Sequence, residues 1–359
     1  MCISSCHELY YQYFTEKRKE YDGLFFVGVT TTKIVCRPVC PSRKPLKKHC
    51  LFYPTVQEAL QDGFSPCKRC HPLAYPDASS SLIQNIITAI HKEPHKRWSD
   101  HDLKEFSFHP STARRQFKKR FGMTVIQYAR ANTMGHAMKS LHHQESVIDT
   151  QLSAGYESGS GFRDAFWKII GSSPDKSRHK IILNAVWLDT PLGPMIALAD
   201  SHKLYFLDFM NRKELKKEVL QLQSRLEAAI TPGENPILDQ IQEELFLYFE
   251  GKLSRFLTPI HLEGTYFQKT VWEALRQIPY GKTVSYQELA LSIQNPKGTR
   301  AVAKANSKNH LAIIVPCHRV IYKDRSLGGY AGGISLKKWL LHHENSTFND
   351  PQKKHLHTF

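Results

Sequence analysis

The sequence has no long apolar run and no secretory start. No stretch approaches the ~18 consecutive apolar residues that a membrane-spanning helix requires. The opening residues, MCISSCHELYYQYF, lack a charged segment followed by a long apolar core, which a signal peptide would contain. We therefore predict a cytoplasmic protein without a membrane partner.

Acidic residues are scarce relative to basic ones. Asp and Glu number 33 against 49 Lys and Arg, and the formal net charge of +16 is spread over 359 residues. This balance favours a polyanionic partner, of which nucleic acid is the commonest, although a merely basic protein would have the same composition. The length predicts two or three domains.

Cysteine is almost absent beyond the first fifth of the chain. All but one of the eight cysteines precede residue 71, and the exception is Cys317. Because no secretory signal precedes them, we expect reduced thiols, metal ligands or nucleophiles rather than disulfides.

Composition divides the chain into modules in series. The cysteine-rich module spans 1–76 and ends near the polar linker PDASSS, and a helical, basic module follows over 82–179. Short apolar runs separated by turn signals predict an α/β region over 181–265. Helical patterns return over 266–345, and 346–359 is expected to be a disordered tail. The predicted fold class is therefore multidomain α+β.

Two cysteine pairs dominate the first module: Cys36 with Cys40, and Cys67 with Cys70. Two well-separated pairs suit a tetrahedral zinc site with four thiolate ligands, and a zinc ion would stabilise so small a module. His49 and Cys50 are rival ligands outside the paired pattern. Four unrelated buried thiols are the alternative to a metal site.

The cysteine pairs lie in strongly basic sequence. Nearby cations are Arg37, Arg43, Lys44, Lys47, Lys48, Lys68 and Arg69. Four thiolates around one zinc ion carry a net charge of about −2, which these side chains can offset while contacting phosphates. Because a metal keeps its thiolates ionised, a ligand here can also be a nucleophile. The spacing alone does not indicate which sulfur would react.

The stretch FFVGVTTTKIVCRPVC, followed by FYPTVQEALQDGFSPCKRCHP, resembles the Ada-type zinc domain of bacterial adaptive-response proteins. The resemblance implies that Cys36 is both a zinc ligand and the acceptor of a methyl group from a methylphosphotriester in the DNA backbone. Cys50 departs from the pattern expected of this family, but the four-cysteine pattern is intact. Methylating one sulfur would change the charge of the cluster from about −2 to about −1, which reduces repulsion from DNA phosphates.

The segment WSDHDLKEFSFHPSTARRQFKKRFGMT predicts a helix-turn-helix unit with a basic second helix. A turn is expected near Phe108–Pro110 and the second helix over Ser111–Arg120, since Ser and Thr suit a helix start. Phe117 would face the core, while Arg114 and Arg115 would lie on other faces and contact DNA.

A second such unit follows in SVIDTQLSAGYESGSGFRDAFWKIIGSSP. Its turn is expected at Gly155–Glu157 and its second helix over Ser158–Ile169, with Arg163 exposed towards DNA. Its buried side is expected to consist of Phe162, Phe166 and Ile169. Gly159 and Gly161 would weaken this helix. The two units together resemble the paired helix-turn-helix module of AraC/XylS-type regulators, with a generic basic helical bundle as the alternative.

The segment IIVPCHRVIY contains the isolated Cys317 beside His318. Adjacent side chains of a strand point in opposite directions, so this neighbourhood alone is a weak signal, and a buried structural thiol is the alternative. The motifs TPLGPMIA, YFEGKL, FQKTVWEALRQIPYGKTVSYQELA, RAVAKANSKN, VPCHRV and GGYAGG occur in that order. Together they resemble the O6-alkylguanine-DNA alkyltransferases from about Asn184 to Glu344.

This second resemblance implies an RNase H-like α/β subdomain followed by a winged-helix-like catalytic domain. It also implies that Cys317 accepts the methyl group from O6 of a flipped guanine. His318 would deprotonate the thiol through a water, Glu344 would orient His318, and Asn309 would hold the active-site loop.

The same resemblance implies a set of residues that bind substrate or DNA. Arg300 would fill the gap left by the extruded base. Tyr286 would repel or rotate the phosphate whose movement drives flipping. Tyr330 would close the pocket, and Arg319 would contact DNA. Ala331 stands where many relatives have a serine, so one hydrogen bond of the family pattern is missing.

The function predicted from these features is stoichiometric repair of methylated double-stranded DNA coupled to transcriptional activation. The methyl donors for Cys317 would be O6-methylguanine and O4-methylthymine, one zinc ion would be the cofactor, and each site would act once. Expected partners are lesions, promoter sites and RNA polymerase, with the chain a monomer. The alternatives are a repair alkyltransferase without regulatory output and a pure transcription regulator.

Overall fold

The computed structural model describes residues 3–18, 22, 25–53, 56–70, 72, 81–106 and 110–348. Three predicted features lie outside the described residues: most of the linker near 76–81, the turn at 108–109, and the tail from residue 349 onward. The linker gives way to a helix that begins at Ser81, one residue before the predicted start of the helical module.

A four-stranded sheet forms the N-terminal module. Its elements are α1 (Ile3–Thr15), β1 (Phe26–Val29), β2 (Ile34–Cys36), β3 (Cys50–Tyr53), α2 (Val56–Gln61) and β4 (Ser65–Pro66). The strand order is β3-β1-β2-β4, and β4 runs parallel to β2. Because side chains alternate along a strand, Phe26 packs with Val35 in one cluster while Val27 packs with Phe14 in another.

The helical module consists of α3 (Ser81–Lys92), α4 (Leu103–Phe106), α5 (Pro110–Phe121), α6 (Val125–His142), α7 (Val147–Ser153) and α8 (Gly159–Ile170). Phe117 of α5 is fully buried, as predicted. A capping box starts α6: Gln127 N donates to Thr124 Oγ1 at 3.2 Å, and Thr124 N donates to Gln127 Oε1 at 2.9 Å. These two bonds satisfy backbone donors that a helix start leaves open.

The second recognition helix is complete despite its two early glycines. Ser158 caps it by accepting a hydrogen bond from Gly161 N at 3.2 Å, and Gly171 ends it in the left-handed conformation. Ile169 was expected on the buried side, but Ile170 is the buried residue there and Ile169 is half-buried. The helix therefore ends one residue later than predicted.

A mixed sheet forms the α/β subdomain. Its elements are β5 (Ile182–Leu188), β6 (Met195–Ala199), β7 (Leu204–Phe209), α9 (Leu215–Arg225), β8 (Ala229–Pro232) and α10 (Pro236–Phe249). The order is β7-β6-β5-β8, in which β8 is parallel to β5 and the other pairs are antiparallel. Asn235 caps α10, and Gly251 has positive φ just after its end, a conformation that suits a C-cap glycine.

The last subdomain is mostly helical. It contains α11 (Tyr266–Arg276), β9 (Val284–Ser285), α12 (Tyr286–Ser292), α13 (Thr299–Asn306), β10 (Val320–Ile321) and α14 (Ile334–Phe348). Helix α14 crosses the predicted boundary at residue 345, so 346–348 are helical and do not belong to a disordered tail. Within the described ranges, no helix is long and apolar enough to cross a membrane.

The helical module packs directly on the α/β subdomain. The ring of Trp187 in β5 lies 4.8 Å from Phe121 and 5.8 Å from Tyr128, centroid to centroid. Along α6, Gly135 faces Thr231 of β8 so closely that a Cβ would lie 2.6 Å from Thr231 Oγ1. A small residue is therefore required where α6 crosses the sheet edge, a contact that the sequence did not indicate.

Candidate active site and metal centre

The four paired cysteines meet at one end of the N-terminal sheet. Strands β2 and β4 run parallel with Val35 opposite Pro66, so Cys36 and Cys67, which follow in sequence, arrive side by side. All four Sγ atoms lie within 4.8 Å of one another, and those of Cys40 and Cys67 are 3.9 Å apart. Tetrahedral zinc with Zn–S bonds of about 2.3 Å places its sulfurs about 3.8 Å apart. The cluster therefore fits one zinc ion.

The two rival ligands lie outside this cluster. Cys50 Sγ contacts Leu46 O at 3.6 Å, and burial raises the pKa of Cys50 to about 11. His49 is also absent from the group of converging ligand atoms found among the described residues. The paired spacing alone selected the same four thiols that the structure brings together.

Cys36 differs from its neighbours in its hydrogen bonds. Cys70 Sγ accepts from Arg37 N at 3.2 Å, and Cys67 Sγ accepts from Arg69 N at 3.4 Å. Ser42 acts to lower the pKa of the Cys40 thiol. In the part of the chain that the structure describes, no backbone N–H donates to Cys36 Sγ. Such bonds withdraw electron density from the sulfurs of Cys67 and Cys70.

The cations around the cluster serve two purposes. Arg37 pairs with Asp22 and donates to Cys70 O at 3.4 Å. Lys44 Nζ lies 3.7 Å from the ring centroid of Phe14 and donates to two loop carbonyls, and burial lowers the pKa of Lys44 to about 8. These two cations hold the loop in place. The exposed cations available for phosphate contacts are Arg43, Lys48, Lys68 and Arg69.

Cys317 begins a short 3-10 turn, Cys317–Arg319, directly after Pro316. Its side chain is buried, and Asn309 Nδ2 donates to its Sγ at 3.2 Å and to Val315 O at 2.8 Å. Burial raises the pKa of the Cys317 thiol, although Asn309 and Lys337 act in the opposite direction. A thiol in this environment needs a base before it can attack an electrophile.

His318 is paired with Glu344 in the interior. His318 Nε2 lies 2.8 Å from Glu344 Oε1, and both side chains are fully buried. Burial lowers the pKa of His318 and keeps the ring neutral, so Nε2 carries the proton that the carboxylate accepts. Among the described residues His318 Nδ1 has no hydrogen-bond partner. Nδ1 is therefore the nitrogen available to act as a base.

Glu344 accepts hydrogen bonds from several donors at once. Arg319 Nε and Nη2 donate to it at 2.8 and 3.0 Å, and Tyr248 OH donates at 2.9 Å. Burial would raise the pKa of Glu344, but His318 and Arg319 hold this pKa well below its ordinary value. The carboxylate is therefore ionised and fixed in orientation.

Arg319 was expected to contact DNA, and the structure corrects this expectation. Its side chain is buried, pairs with Glu344 and donates to Ile278 O at 2.6 Å. A guanidinium committed to buried acceptors cannot reach a phosphate. Arg319 supports the His318–Glu344 pair instead.

Two tyrosines lie close to the Cys317 site. Tyr286 begins α12 and packs against Gly328, where a Cβ would lie 2.9 Å from its ring. Burial raises the pKa values of Tyr286 and Tyr330, so both hydroxyls keep their protons. Tyr330 OH has no hydrogen-bond partner within the described ranges. Both groups are therefore available as donors.

Arg300 is exposed in the first turn of α13.

Two buried residues near the site were not anticipated from the sequence. Tyr248, from α10, contacts Glu344 across the subdomain boundary. Lys337 is fully buried, and its Nζ donates to Val320 O at 2.6 Å and Gly328 O at 3.2 Å. It thus ties the strand after Cys317 to the loop before Tyr330. For Lys337, the signal that the sequence offered was a lysine on a largely apolar helix face.

The arginines predicted for the recognition helices are on the surface where the structure describes them. Arg114 is exposed and lies 2.9 Å from Asp100, and Arg163 is exposed on α8. Arg115 belongs to α5, but its side chain is outside the described residues.

Three family models match the chain in consecutive segments. The metal binding domain of Ada matches residues 9–72, a helix-turn-helix domain matches 103–180, and the DNA binding domain of 6-O-methylguanine DNA methyltransferase matches 266–346. Each match falls on a module that the fold contains.

The bifunctional transcriptional activator/DNA repair enzyme Ada of Escherichia coli is 33% identical over 90% of this chain and 92% of its own length. The chain belongs to the Ada family. A methylated-DNA–protein-cysteine methyltransferase of Methanosarcina acetivorans is 41% identical over 44% of this chain and 96% of its own length. The solved structure of Mycobacterium tuberculosis OGT in complex with DNA is 37% identical over 49% of this chain and 99% of its own, with a TM-score of 0.40.

Membership of the Ada family confirms several predictions made from the sequence. The multidomain α+β class, the zinc module, the helix-turn-helix module and the alkyltransferase region are all present. The assignment to methylated-DNA–protein-cysteine methyltransferases combined with a transcriptional activator is confirmed at the level of the family. One zinc ion is the cofactor that the four thiolates of the Ada module suit.

Proposed function

We propose that the chain repairs DNA by moving methyl groups onto two of its own cysteines and reports the damage by activating transcription. Cys317 accepts methyl groups from O6-methylguanine and from O4-methylthymine, and Cys36 accepts them from methylphosphotriesters. The observation that carries the proposal is the contact between Asn309 Nδ2 and Cys317 Sγ beside the buried His318–Glu344 pair.

The buried thiol is activated by its neighbours. His318 Nδ1 takes the Cys317 proton through one water, while Glu344 stabilises the imidazolium that results. The thiolate attacks the methyl carbon, an S–C bond forms, and the C–O6 bond breaks with its electron pair left on the guanine. Tyr286 and Tyr330 hydroxyls donate hydrogen bonds to the developing anion. Because the thioether product has no easy reverse reaction, the Cys317 site acts once.

The base must leave the helix before it can reach Cys317. Flipping costs roughly a few kcal/mol of lost stacking and pairing. Arg300, exposed in the first turn of α13, enters the stack and offsets part of this cost. Arg114, Arg115 and Arg163 contact DNA through the helix-turn-helix units.

We assign Cys36 as the acceptor at the other site, because among the described residues its sulfur accepts no backbone N–H, whereas the sulfurs of Cys70 and Cys67 each accept one. Cys36, Cys40, Cys67 and Cys70 would hold the zinc ion, which when bound would keep the Cys36 thiolate ionised at neutral pH. The phosphodiester released from the triester regains its negative charge, while the cluster loses one unit of negative charge.

Peptide mass mapping tests both repair activities. After incubation with DNA carrying O6-methylguanine and methylphosphotriesters, we expect added methyl groups on Cys317 and Cys36 and on no other cysteine. Cys317→Ser should lose the methyl group at position 317 and keep the one on Cys36. Cys36→Ser should lose the methyl group at position 36 and keep the one on Cys317. An unmodified Cys317 in the wild-type chain would refute the alkyltransferase assignment.

Regulation follows from the change in charge at the zinc module. Methylated Cys36 weakens repulsion from DNA phosphates, and promoter affinity should rise after exposure to methylated DNA. We expect at least a threefold gain for the wild type, on the order of 0.7 kcal/mol, and none for Cys36→Ala. Equal affinity of the wild type before and after exposure would exclude this switch.

The proposal also covers the oligomeric state, the location, the protein partner and the domain bounds. The chain acts as a monomer in the cytoplasm and contacts RNA polymerase at the promoter. Its units are 1–76, 82–179, 181–265 and 266–345, with the catalytic boundary extended to the end of α14.

A further inference from the structure

A buried cluster of charged residues links the α/β subdomain to the segment that carries Asn309. Arg212 and Glu218 are buried, and Arg212 Nη2 lies 2.9 Å from Glu218 Oε2. Arg212 also pairs with Asp208 of β7, which is equally buried. None of these residues takes part in the chemistry described above. A buried ion pair often adds little net stability to a fold. Stability alone therefore does not explain why Arg212, Glu218 and Asp208 are buried together.

Glu218 reaches both residues that flank Asn309. Its carboxylate lies 3.7 Å from Lys308 Nζ and 3.7 Å from His310 Nδ1. These distances are in the range of ion pairs rather than hydrogen bonds. The His310 ring also stacks on Phe206 of β7 with a centroid separation of 5.8 Å. The segment around Asn309 is thereby held from both sides by the α/β subdomain.

The backbone is attached at the same place. Leu207 N donates to His310 O, and Ala312 N donates to Leu207 O, each at 2.8 Å. Ile313, in the loop that follows, has a φ of 72°. A β-branched residue adopts this conformation only under strain, which persists when the surroundings fix it. The loop leading to Cys317 is thus a strained loop fastened to β7.

We infer that Glu218 is a positioning residue for the methyl transfer: by holding Lys308 and His310 it fixes the Asn309 amide against Cys317 Sγ. Arg212, itself paired with Asp208, in turn holds the carboxylate of Glu218. The α/β subdomain therefore contributes to the reaction even though it supplies none of the reacting groups. This inference rests on the proposed function of Cys317.

The direction in which Glu218→Gln changes the rate of methyl transfer distinguishes positioning from simple electrostatics. Glu218→Gln removes a negative charge from the surroundings of Cys317, while Arg212 lowers the pKa of the thiol from nearby. Electrostatics alone would then favour the thiolate and accelerate the reaction. Loss of positioning would slow it, because small displacements of a reacting group reduce the rate strongly.

Single-turnover transfer from O6-methylguanine DNA to Cys317, measured in the full-length chain, tests the inference. We expect Glu218→Gln to slow transfer about tenfold without changing DNA affinity. In an Asn309→Ala background the same substitution should have no further effect, because it acts through Asn309. Glu214→Gln, an exposed glutamate directly before the first turn of α9, is the matched control and should retain the wild-type rate.

Lys308→Met is a second variant in case Glu218→Gln fails to fold. The Lys308 side chain is half exposed, so its removal should leave the unfolding temperature unchanged and slow transfer two- to threefold, about 0.4–0.7 kcal/mol. Wild-type rates in a folded Glu218→Gln, or in Lys308→Met, would overturn the inference, as would equal slowing by Glu218→Gln with and without Asn309. A wild-type chain that leaves Cys317 unmethylated would instead overturn the proposed function.

Discussion

Replacing Glu344 with Gln should cost the C-terminal half about 3–5 kcal/mol in free energy of unfolding and should nearly abolish methyl transfer to Cys317. The carboxylate is fully buried and accepts hydrogen bonds from His318, Arg319 and Tyr248. An amide would leave Arg319 as a buried cation without its counter-ion, and its NH2 group would face donors. Because native proteins are stable by roughly 5–15 kcal/mol, this is a large fraction of the total.

The rate should fall for a different reason. Without the carboxylate, the proton on His318 Nε2 is no longer held in place and the imidazolium is not stabilised. General acid–base catalysis contributes about 10²- to 10⁴-fold, and we expect a loss in that range. Single-turnover kinetics at a temperature where the variant is folded would measure it.

A double variant separates stability from catalysis. Glu344→Gln with Arg319→Met removes both buried charges, so the free energy of unfolding measured in urea should recover in part. Methyl transfer should remain slow, because His318 still lacks its carboxylate. Glu250→Gln, at an exposed pair 3.6 Å from Lys252, is the control and should change stability by less than about 1 kcal/mol. Wild-type stability of Glu344→Gln would contradict the role given to Arg319.

The zinc site shows what sequence spacing can predict. Cys36 ends one of two neighbouring parallel strands and Cys67 directly follows the other, and each has its partner within the next four residues. Local spacing therefore carries most of the information about the site, and it selects the four thiols that converge in the fold. The distinct environment of Cys36 depends on backbone donors from Arg37 and Arg69, which spacing does not determine.

The Cys317 site shows where such reasoning stops. Its partners come from distant parts of the chain, since Tyr248 and Glu344 are 96 residues apart. The family resemblance supplied His318, Asn309 and Glu344, but nothing local distinguishes an arginine that binds DNA from one that is buried. Arg319 was assigned to DNA for this reason. Burial is a tertiary property, and only the fold revealed it.

The elements themselves were largely predictable, but their docking was not. Periodicity and capping residues located α5 and α8 to within about two residues, the usual uncertainty of helix ends. In contrast, Trp187 reads as one more apolar residue of a strand, although its ring packs on Phe121 and Tyr128 of another module. Which face of a strand meets which helix depends on the arrangement of whole subdomains.

Removing zinc should unfold the N-terminal module and leave the Cys317 reaction intact. Among the described residues, the apolar clusters of this module are small and consist only of residues between Tyr10 and Phe64, and the thiols form a separate group. A structural zinc ion contributes about 10–16 kcal/mol of apparent binding free energy in small domains, more than such cores supply on their own. The main cluster of the C-terminal half draws only on residues from Val186 onward. Chelation should therefore destroy hydrogen-exchange protection over residues 25–70 while methyl transfer to Cys317 keeps its rate.

Two cysteine variants separate the role of the metal from that of thiol burial. Cys67→Ser removes one ligand and should lower the zinc content well below one ion per chain, with the same loss of protection. Cys50→Ser alters an equally buried thiol outside the cluster and should retain one zinc ion. Loss of zinc from Cys50→Ser, or full zinc content in Cys67→Ser, would show that the ligand set is wrong. If chelation also slowed methyl transfer to Cys317, the folding of the two halves would be coupled, which the separate clusters argue against.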